Sequence, residues 1–412
     1  MPITRADLEA LDAADELAKL RALFTLPEGV VYLDGNSLGA LPRATPARIA
    51  QVVQQEWGQG LIRSWNDAGW MATPARIGDK IARLIGAAPG SVMVGDSTSV
   101  NIFKLLAAAL AARPNRRAIV SERGNFPTDL YIAQGLVTLL GQGHTLRTVE
   151  PQNIAAALDD DVAVLMLTHV NYHTGAMHDL AALTRAAHAK GALVLWDLAH
   201  SAGAVPVDLA SCDADLAGGC GDKFLIGGPG APAFLYVAPR LQEELRYPLT
   251  GWLGHAAPFA FEPAYRPAAG IARATVGTPP MLSLAALEVG VDIALQAPMA
   301  HVRAKSLRQT TLFANLLAEH CAAWNFRLAS PADPQARGSQ ICLAHSEAYP
   351  IMQALIARKI IGDFRAPDIL RFGITPLYTR YIDLWYAAEA LRLVMANAEW
   401  QSPKHLARKE VT

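Results

Sequence analysis

The chain has 412 residues, of which 52% are hydrophobic and 18% charged, and its 36 basic and 37 acidic side chains leave a formal net charge of -1. Such a length supports a large buried core and about two to three domains, and balanced charge without a basic block argues against a nucleic-acid partner. The four cysteines, at 212, 220, 321 and 342, form no CxxC pair, a usage that suits a reducing cytoplasm rather than a zinc site or a disulfide framework. The N-terminus, Met1-Pro2-Ile3-Thr4-Arg5-Ala6-Asp7-Leu8-Glu9, lacks the basic and apolar regions of a secretion signal. No run approaches the roughly 18 apolar residues of a membrane span. A soluble cytoplasmic globular protein without a membrane partner is expected.

Leucines at 8, 11, 17 and 20 mark a helical pattern over 5–24. A short strand at 30–33 precedes the turn-rich Asp34-Gly35-Asn36-Ser37-Leu38-Gly39, and a helix runs from Thr45 to Trp57 with Thr45 as N-cap and Pro46 at its first position. Residues 58–70 hold too much glycine and tryptophan for a regular element and are expected to be irregular, with Trp65 and Trp70 as packing or as the wall of an aromatic pocket. From 75 the chain alternates between helices (75–86, 99–112, from 128, a short one capped by Asn153, 179–189) and apolar strands (92–95, 118–121, 145–149, 162–167, 192–196, 215–218, 233–237). About seven strands, apolar on both faces and separated by helices, imply an α/β fold with a mostly parallel sheet. Residues 246–280, rich in proline, glycine and aromatics, read as a long functional loop. Helices at 281–296 and 299–321, strands at 326–329, 340–344, 360–364 and 369–372, and helices at 349–358 and 380–398 then build a smaller α+β domain.

Ligands of a doubly wound sheet bind at the carboxyl ends of its strands, so the polar residues that end each apolar run are the candidates. Val94 leads into Gly95-Asp96-Ser97-Thr98-Ser99, a hydroxyl-rich turn opening a helix, suited either to plain N-capping or to a phosphate. Val120 leads to Asn125-Phe126-Pro127-Thr128-Asp129, where Phe126 is placed to stack on a flat ring or to pack in the core. Leu167 leads to Thr168-His169, and a histidine pair with His173 on a turn is rejected as a metal site. Trp196 leads to Asp197-Leu198-Ala199-His200; a carboxylate following five apolar residues needs a cationic partner, and reads equally as a helix cap or structural salt bridge or as the group that keeps a pyridine nitrogen protonated. Lys223 stands 26 residues further on, before Gly227-Gly228-Pro229-Gly230, where a rigidly held lysine can form an imine with an aldehyde. A lone Lys-Gly-Gly pattern is usually a structural turn, but these five strand ends share one sheet edge. Their order is the one that a pyridoxal-phosphate site on the aspartate-aminotransferase fold, fold type I, requires.

The sequence resembles the kynureninases, pyridoxal-phosphate hydrolases that cleave L-kynurenine to anthranilate and L-alanine. The motifs are Leu33-Asp34-Gly35-Asn36-Ser37-Leu38-Gly39, Gly60-Leu61-Ile62-Arg63-Ser64-Trp65, Phe126-Pro127-Thr128-Asp129, Asp197-Leu198-Ala199-His200-Ser201-Ala202-Gly203, Gly251-Trp252-Leu253-Gly254-His255 and Arg371-Phe372-Gly373-Ile374-Thr375-Pro376-Leu377-Tyr378. The resemblance implies an N-terminal segment (1–55) packing with the small domain, a large cofactor-binding domain (56–290) and a small C-terminal domain (291–412). It implies Lys223 as the residue that holds the cofactor covalently and moves the substrate Cα proton, and Asp197 as partner of the pyridinium nitrogen with His200 beside it. Thr98 and Ser99 would hold the phosphate, with Trp252 and Thr278 completing that end from the second subunit of a homodimer. Phe126, Pro127, Thr128, Asp129 and Thr168 would surround the ring. Arg371 would grip the substrate α-carboxylate as a bidentate pair, and Ser37 and Trp65 would line the substrate-ring pocket. The implied role is in tryptophan degradation, on a route toward NAD. Trp65 and Thr278, where other members carry histidine and asparagine, favour kynurenine over its 3-hydroxy derivative.

One residue departs from the family. Asp222 stands where tyrosine usually precedes the lysine; a carboxylate accepts hydrogen bonds, repels a phosphate dianion and tends to raise the pKa of a neighbouring lysine. Weaker cofactor binding or slower turnover follows if Asp222 occupies the tyrosine's place, unless the backbone turns it away. Two rival readings are a cysteine desulfurase-like lyase of the same fold, which needs a nucleophilic cysteine although Cys321 and Cys342 look structural, and a lapsed paralogue that binds without turnover.

Overall fold

The computed structural model describes residues 3–409, which divide into two compact units: Thr45–Asn171 with His178–Leu295, and Met1–Ala44 with Tyr172–Met177 and Gln296–Thr412. The larger unit is built on a seven-stranded sheet of β1 (Val92–Val94), β2 (Ala118–Glu122), β3 (Thr145–Val149), β4 (Val162–Thr168), β5 (Leu193–Asp197), β6 (Leu216–Gly219) and β7 (Phe234–Val237). Their spatial order is β1-β7-β6-β5-β4-β2-β3. All neighbouring pairs are parallel except those of β7, which runs antiparallel to both β1 and β6. The exception has a local cause: β6 returns to β7 through the glycine-rich segment around Lys223, which contains no crossover helix.

Strands β2, β4 and β5 are buried along their whole lengths, which is why they read as continuous apolar runs. Helix α1 (Thr73–Leu84) precedes the sheet, α2 (Thr98–Ala111), α3 (Pro127–Leu140) and α4 (Leu180–Ala189) connect its strands, and α5 (Met281–Ala294) follows it. Helix α2 starts because the Ser97 hydroxyl accepts from the Val100 amide at 3.3 Å. Helix α3 places Pro127 at its first position and ends at Gly141, left-handed with φ of 59°. Residues 246–280 hold only short 3-10 turns, in agreement with the loop expected there.

Residues 58–70 depart from expectation, being mostly helical: a wide π-helical stretch Val52–Gly60 leads into a 3-10 turn Leu61–Arg63 and the α-helical Ser64–Asp67. Glycine propensity predicts otherwise. Side-chain bonds override it, since the Trp70 indole N–H donates to Glu56 at 2.7 Å, the Ser64 hydroxyl to the Glu56 carbonyl, and Arg63 to the Gln59 and Gly60 carbonyls.

The smaller unit holds a four-stranded antiparallel sheet of β8 (Arg327–Leu328), β9 (Gln340–Ala344), β10 (Asp363–Arg365) and β11 (Ile369–Gly373), in the order β8-β9-β11-β10. Its core includes Phe313 of α6 (Met299–His320), Met352 of α7 (Ala348–Ala357) and Leu391 of α8 (Tyr381–Ala396), with Phe313 edge-on to Phe372 at 5.4 Å. Leu8 of the N-terminal helix Arg5–Ala13 joins this core. Asp12, near the end of that helix, accepts from the Tyr381 and Ile382 amides at 2.7 and 2.9 Å, placing a carboxylate on the N-terminus of α8.

Candidate active site

Parallel pairing sets Thr168 of β4 opposite Asp197 of β5, and Asp197 opposite Gly218 of β6. The strand ends chosen from sequence are therefore neighbours. Lys223 follows β6, its ammonium 6.0 Å from the centre of the Phe126 ring at the start of α3. Among the described residues Lys223 has no hydrogen bond or ion pair. Its loop is nevertheless tied down, by Ile226 N–H to the Lys223 carbonyl at 3.0 Å and Gly227 N–H to the Gly221 carbonyl at 2.8 Å. Thr98, at the first turn of α2, meets the Cys220 sulfur at 3.1 Å, so the hydroxyl turn after β1 and the lysine loop after β6 come together.

Asp129, Thr168, Asp197 and His200 are all buried. The Thr168 hydroxyl lies 3.4 Å from both Asp129 and Asp197 and also contacts the Asn125 side-chain oxygen. Asp197 accepts from the Ala199 amide at 2.7 Å. Burial raises the pKa of both carboxyls, and Asp129 rises well above the usual range because the Asp197 charge adds to burial, whereas Lys223 favours the charged form of Asp197. The two buried acids therefore act on one another as they titrate.

Pro127 and Thr128 open α3 beside Phe126. Ser99 follows Thr98 in the first turn of α2. Asp222 is half-buried, and among the described residues its carboxylate has no hydrogen bond or ion pair. Among the described residues no hydrogen bond or ring contact joins Trp252 or Thr278 to Thr98, Ser99 or Lys223. Trp252 is 38% exposed, edge-on to Phe259 at 5.6 Å, and lines a surface groove with His255, Phe261 and Tyr265. Thr278 lines a cavity of about 70 Å³ with Asp96, Asn101 and Lys104. Trp65 packs edge-on to Trp70 at 5.5 Å, in a cluster with Val52 and Ala285.

Arg371 and Ser37 belong to the smaller unit. Arg371 is only 1% exposed. Its fork is bidentate on Asp363, with Nε donating at 2.8 Å and an NH2 hydrogen to the second oxygen; NH2 also donates to Ser37 at 2.7 Å and NH1 to the Tyr172 carbonyl at 3.0 Å. The loop Asp34–Gly39 lies hard against the segment after β11. A Cβ on Gly35 would sit 2.1 Å from the Thr375 hydroxyl oxygen and 2.2 Å from that of Tyr378. Gly35→Ala is therefore expected to destabilise the chain by about 1–3 kcal/mol through overpacking, read as a lowered urea midpoint at unchanged slope.

Comparison with known proteins decides the family. The chain is 53% identical over 414 aligned residues to the kynureninase of Burkholderia pseudomallei strain 1106a, covering 99% of this chain and all of that one. The chain belongs to the kynureninase family. The kynureninase of Pseudomonas fluorescens is 52% identical over the same span, and residues 302–391 match the model of the kynureninase C-terminal domain. Among solved structures, cysteine desulfurases of Thermococcus onnurineus NA1 (17% identity, TM-score 0.77, 92% of this chain and 98% of that one) and Escherichia coli (19%, 0.73, 93% and 99%) share the fold alone. That fold is type I, as expected from the strand pattern. The desulfurase reading loses ground on the cysteines themselves: burial pushes the thiols of Cys220 and Cys342 up to about 11 and that of Cys321 up to about 12, and it raises Cys212. None is an activated thiolate.

In this kynureninase-family site, sequence reasoning passed over Asn125, which bonds Ser121, Thr168 and the Phe126 amide, and Cys220, which meets Thr98. It also passed over Asp363 and Arg365. Period-two alternation offered a signal, because residues two apart on β10 face one side of the strand, the side on which Arg371 of the adjacent β11 also lies.

Proposed function

We propose that the chain hydrolyses L-kynurenine to anthranilate and L-alanine, with pyridoxal phosphate held at Lys223. The observation that carries this reading is the grouping of Lys223, Phe126, Asp129 and Asp197 at one sheet edge, in a chain 53% identical over its length to a curated kynureninase. Purified protein is expected to absorb in the visible, to lose that band with borohydride, and to release fluorescent anthranilate from L-kynurenine. Coloured protein that yields no aromatic amine from kynurenine or its 3-hydroxy derivative overturns the reading and favours a lapsed paralogue.

The donor set fits the cofactor. A lysine amine without an ion-pair partner suits an aldehyde carbon. A buried carboxylate, Asp197, suits one protonated ring nitrogen. The first turn of α2, with the Thr98 and Ser99 hydroxyls and its unpaired backbone N–H groups, suits a phosphate. Bound there, the cofactor supplies an electrophilic carbon for the substrate amine and a ring that withdraws electrons. Lys223 then serves as the base that takes the substrate Cα proton and carries it on. Asp197 would keep the ring nitrogen protonated, with Asp129, Thr168 and His200 around it, and Phe126, Pro127 and Thr128 would border the ring. The overall hydrolysis puts the oxygen of one water on the γ-carbon and its hydrogen on Cβ as the Cβ–Cγ bond breaks, giving anthranilate and L-alanine. Arg371, Ser37 and Trp65 are the proposed substrate-binding residues. The indole of Trp65 offers no acceptor for a phenol hydrogen, which supports unsubstituted kynurenine as the preferred substrate.

The active form is proposed to be a cytoplasmic homodimer in which the partner subunit's Trp252 and Thr278 close the phosphate end. Support comes from the exposed aromatic ridge of Trp252, Phe259 and Phe261, the last 77% exposed. Among the described residues no single helix is long and apolar enough to cross a membrane. The proposed setting is tryptophan breakdown toward NAD precursors, through domains near 1–55, 56–290 and 291–412.

Asp222 tempers the phosphate end. Asp222→Tyr exchanges a charge that repels the phosphate for a neutral donor, and is expected to tighten pyridoxal phosphate by about tenfold in equilibrium titration of the apoprotein. An unchanged dissociation constant would place Asp222 away from the phosphate.

A further inference from the structure

Two guanidinium groups share one carboxylate in the smaller unit. Asp363 is buried and receives Arg371 in bidentate fashion and, through the same Oδ2, Arg365 NH2 at 2.6 Å. Ser37 sits at the junction, donating to Asp363 at 2.9 Å and accepting from Arg371 at 2.7 Å and Arg365 at 3.2 Å. The two arginines are spent to different degrees. A guanidinium carries five N–H donors. Arg371 makes four hydrogen bonds, leaving one NH1 hydrogen. Arg365 uses only NH2; its Nε is buried without a partner, and NH1 makes no hydrogen bond among the described residues. Its side chain is nevertheless 36% exposed, against 2% for Arg371.

Charge points the same way. Burial, together with the negative charge of Asp363, pushes the Asp34 carboxyl beside them up to about 7. Below that pH, the cluster of Arg365, Arg371, Asp363 and Asp34 holds two positive charges against one. A buried donor without an acceptor is costly, and a guanidinium fork with a free edge matches a carboxylate in geometry. We propose that Arg365 is a further substrate-binding residue, supplying to the α-carboxylate of the amino-acid substrate the donors that Arg371, already clamped by Asp363, lacks. Asp363 is then a positioning residue that sets the planes of both arginines, and Ser37 acts with it. This rests on the reading of the protein as an amino-acid-cleaving enzyme, but it concerns carboxylate recognition rather than the bond that breaks.

The test compares ligands with and without a carboxylate on the holoenzyme. In Arg365→Gln, the KM for L-kynurenine is expected to rise by about 10- to 100-fold with a smaller change in kcat, while binding of the decarboxylated amine of the same substrate stays as in the parent. Arg365→Lys, which keeps charge but loses the fork, should recover part of the loss. Binding of L-alanine against ethylamine, followed by the visible absorbance of the cofactor, repeats the comparison without turnover. If the parent binds L-alanine but releases no anthranilate, the proposed reaction fails while the role of Arg365 is still decided. Equal weakening of acid and amine ligands, or no change in either, overturns the proposal. Near-ultraviolet circular dichroism identical to the parent excludes a general loss of packing.

Discussion

Replacement of Lys223 by alanine is expected to lower anthranilate formation by about 10⁴-fold or more while leaving the fold intact. The two halves of this expectation have separate causes. The ammonium has no hydrogen bond or ion pair among the described residues and lies only near the Phe126 ring, so its loss should change the stability of the apoprotein by no more than about 0.5 kcal/mol. The chemical role, by contrast, has no understudy: no other lysine stands in the turn between β6 and β7. Borohydride should fix no cofactor in the variant, although pyridoxal phosphate should still bind through the proposed contacts of Thr98, Ser99 and Asp197. Added ethylamine should restore part of the rate. A variant that unfolds early, or one that retains a tenth of the parental rate, contradicts the assignment.

Asp197→Asn should produce the second largest loss. The amide keeps the shape but removes the charge, and breaking a buried ion pair costs about 3–5 kcal/mol, or about 10²–10⁴ in rate. A further consequence follows from the effect of each acid on the other. With the Asp197 charge gone, the neighbour that helps raise Asp129 is removed, so the Asp129 carboxyl falls toward its ordinary range although burial still holds it up. The pH profile should respond. In the parent, folded-state carboxyl pKa values lie above their unfolded values, so these groups contribute stability below the unfolded pKa, and it is lost as pH rises toward the folded values. In Asp197→Asn the Asp129 part of that loss should shrink. Apoprotein urea midpoints measured across pH 4–8, on the order of the range where raised carboxyls titrate, read this directly; an unaltered slope would mean that the Asp197 charge does not raise Asp129.

Much of the site was legible because a parallel strand buried on both faces must be apolar throughout, so its first polar residue marks its carboxyl end. Thr168 and Asp197 stand out for that reason, and Lys223 by the glycines that follow β6. Other features depend on bonds that sequence spacing does not encode. The helical path of residues 58–70 is held by Glu56, whose side chain and carbonyl receive Trp70 and Ser64, against the propensity of Gly58 and Gly60. Arg371 reads as an ordinary charge at a strand start until β10 is set beside β11 and Asp363 appears in its fork. The mutual influence of Asp129 and Asp197 depends on helix α3 delivering its first turn to the end of β5. Asp222 is plain in the sequence, yet its effect depends on where a phosphate lies.

The antiparallel return of β7 bears on how the reactive amine moves. Lys223 is suspended between two hydrogen-bonded strands by a connection whose own amides are tied at Ile226, Gly227 and Ala231. Its backbone therefore has little freedom, and the excursion of the amine from one partner to the next must be made by rotation about the four methylenes of its side chain. Such rotamer hops take picoseconds to nanoseconds, whereas loop rearrangements are slower. If Lys223 has the proposed role, the pivot of the reaction is a stiff hinge with a fast arm, and the exchange of amines should not wait on any opening of the sheet.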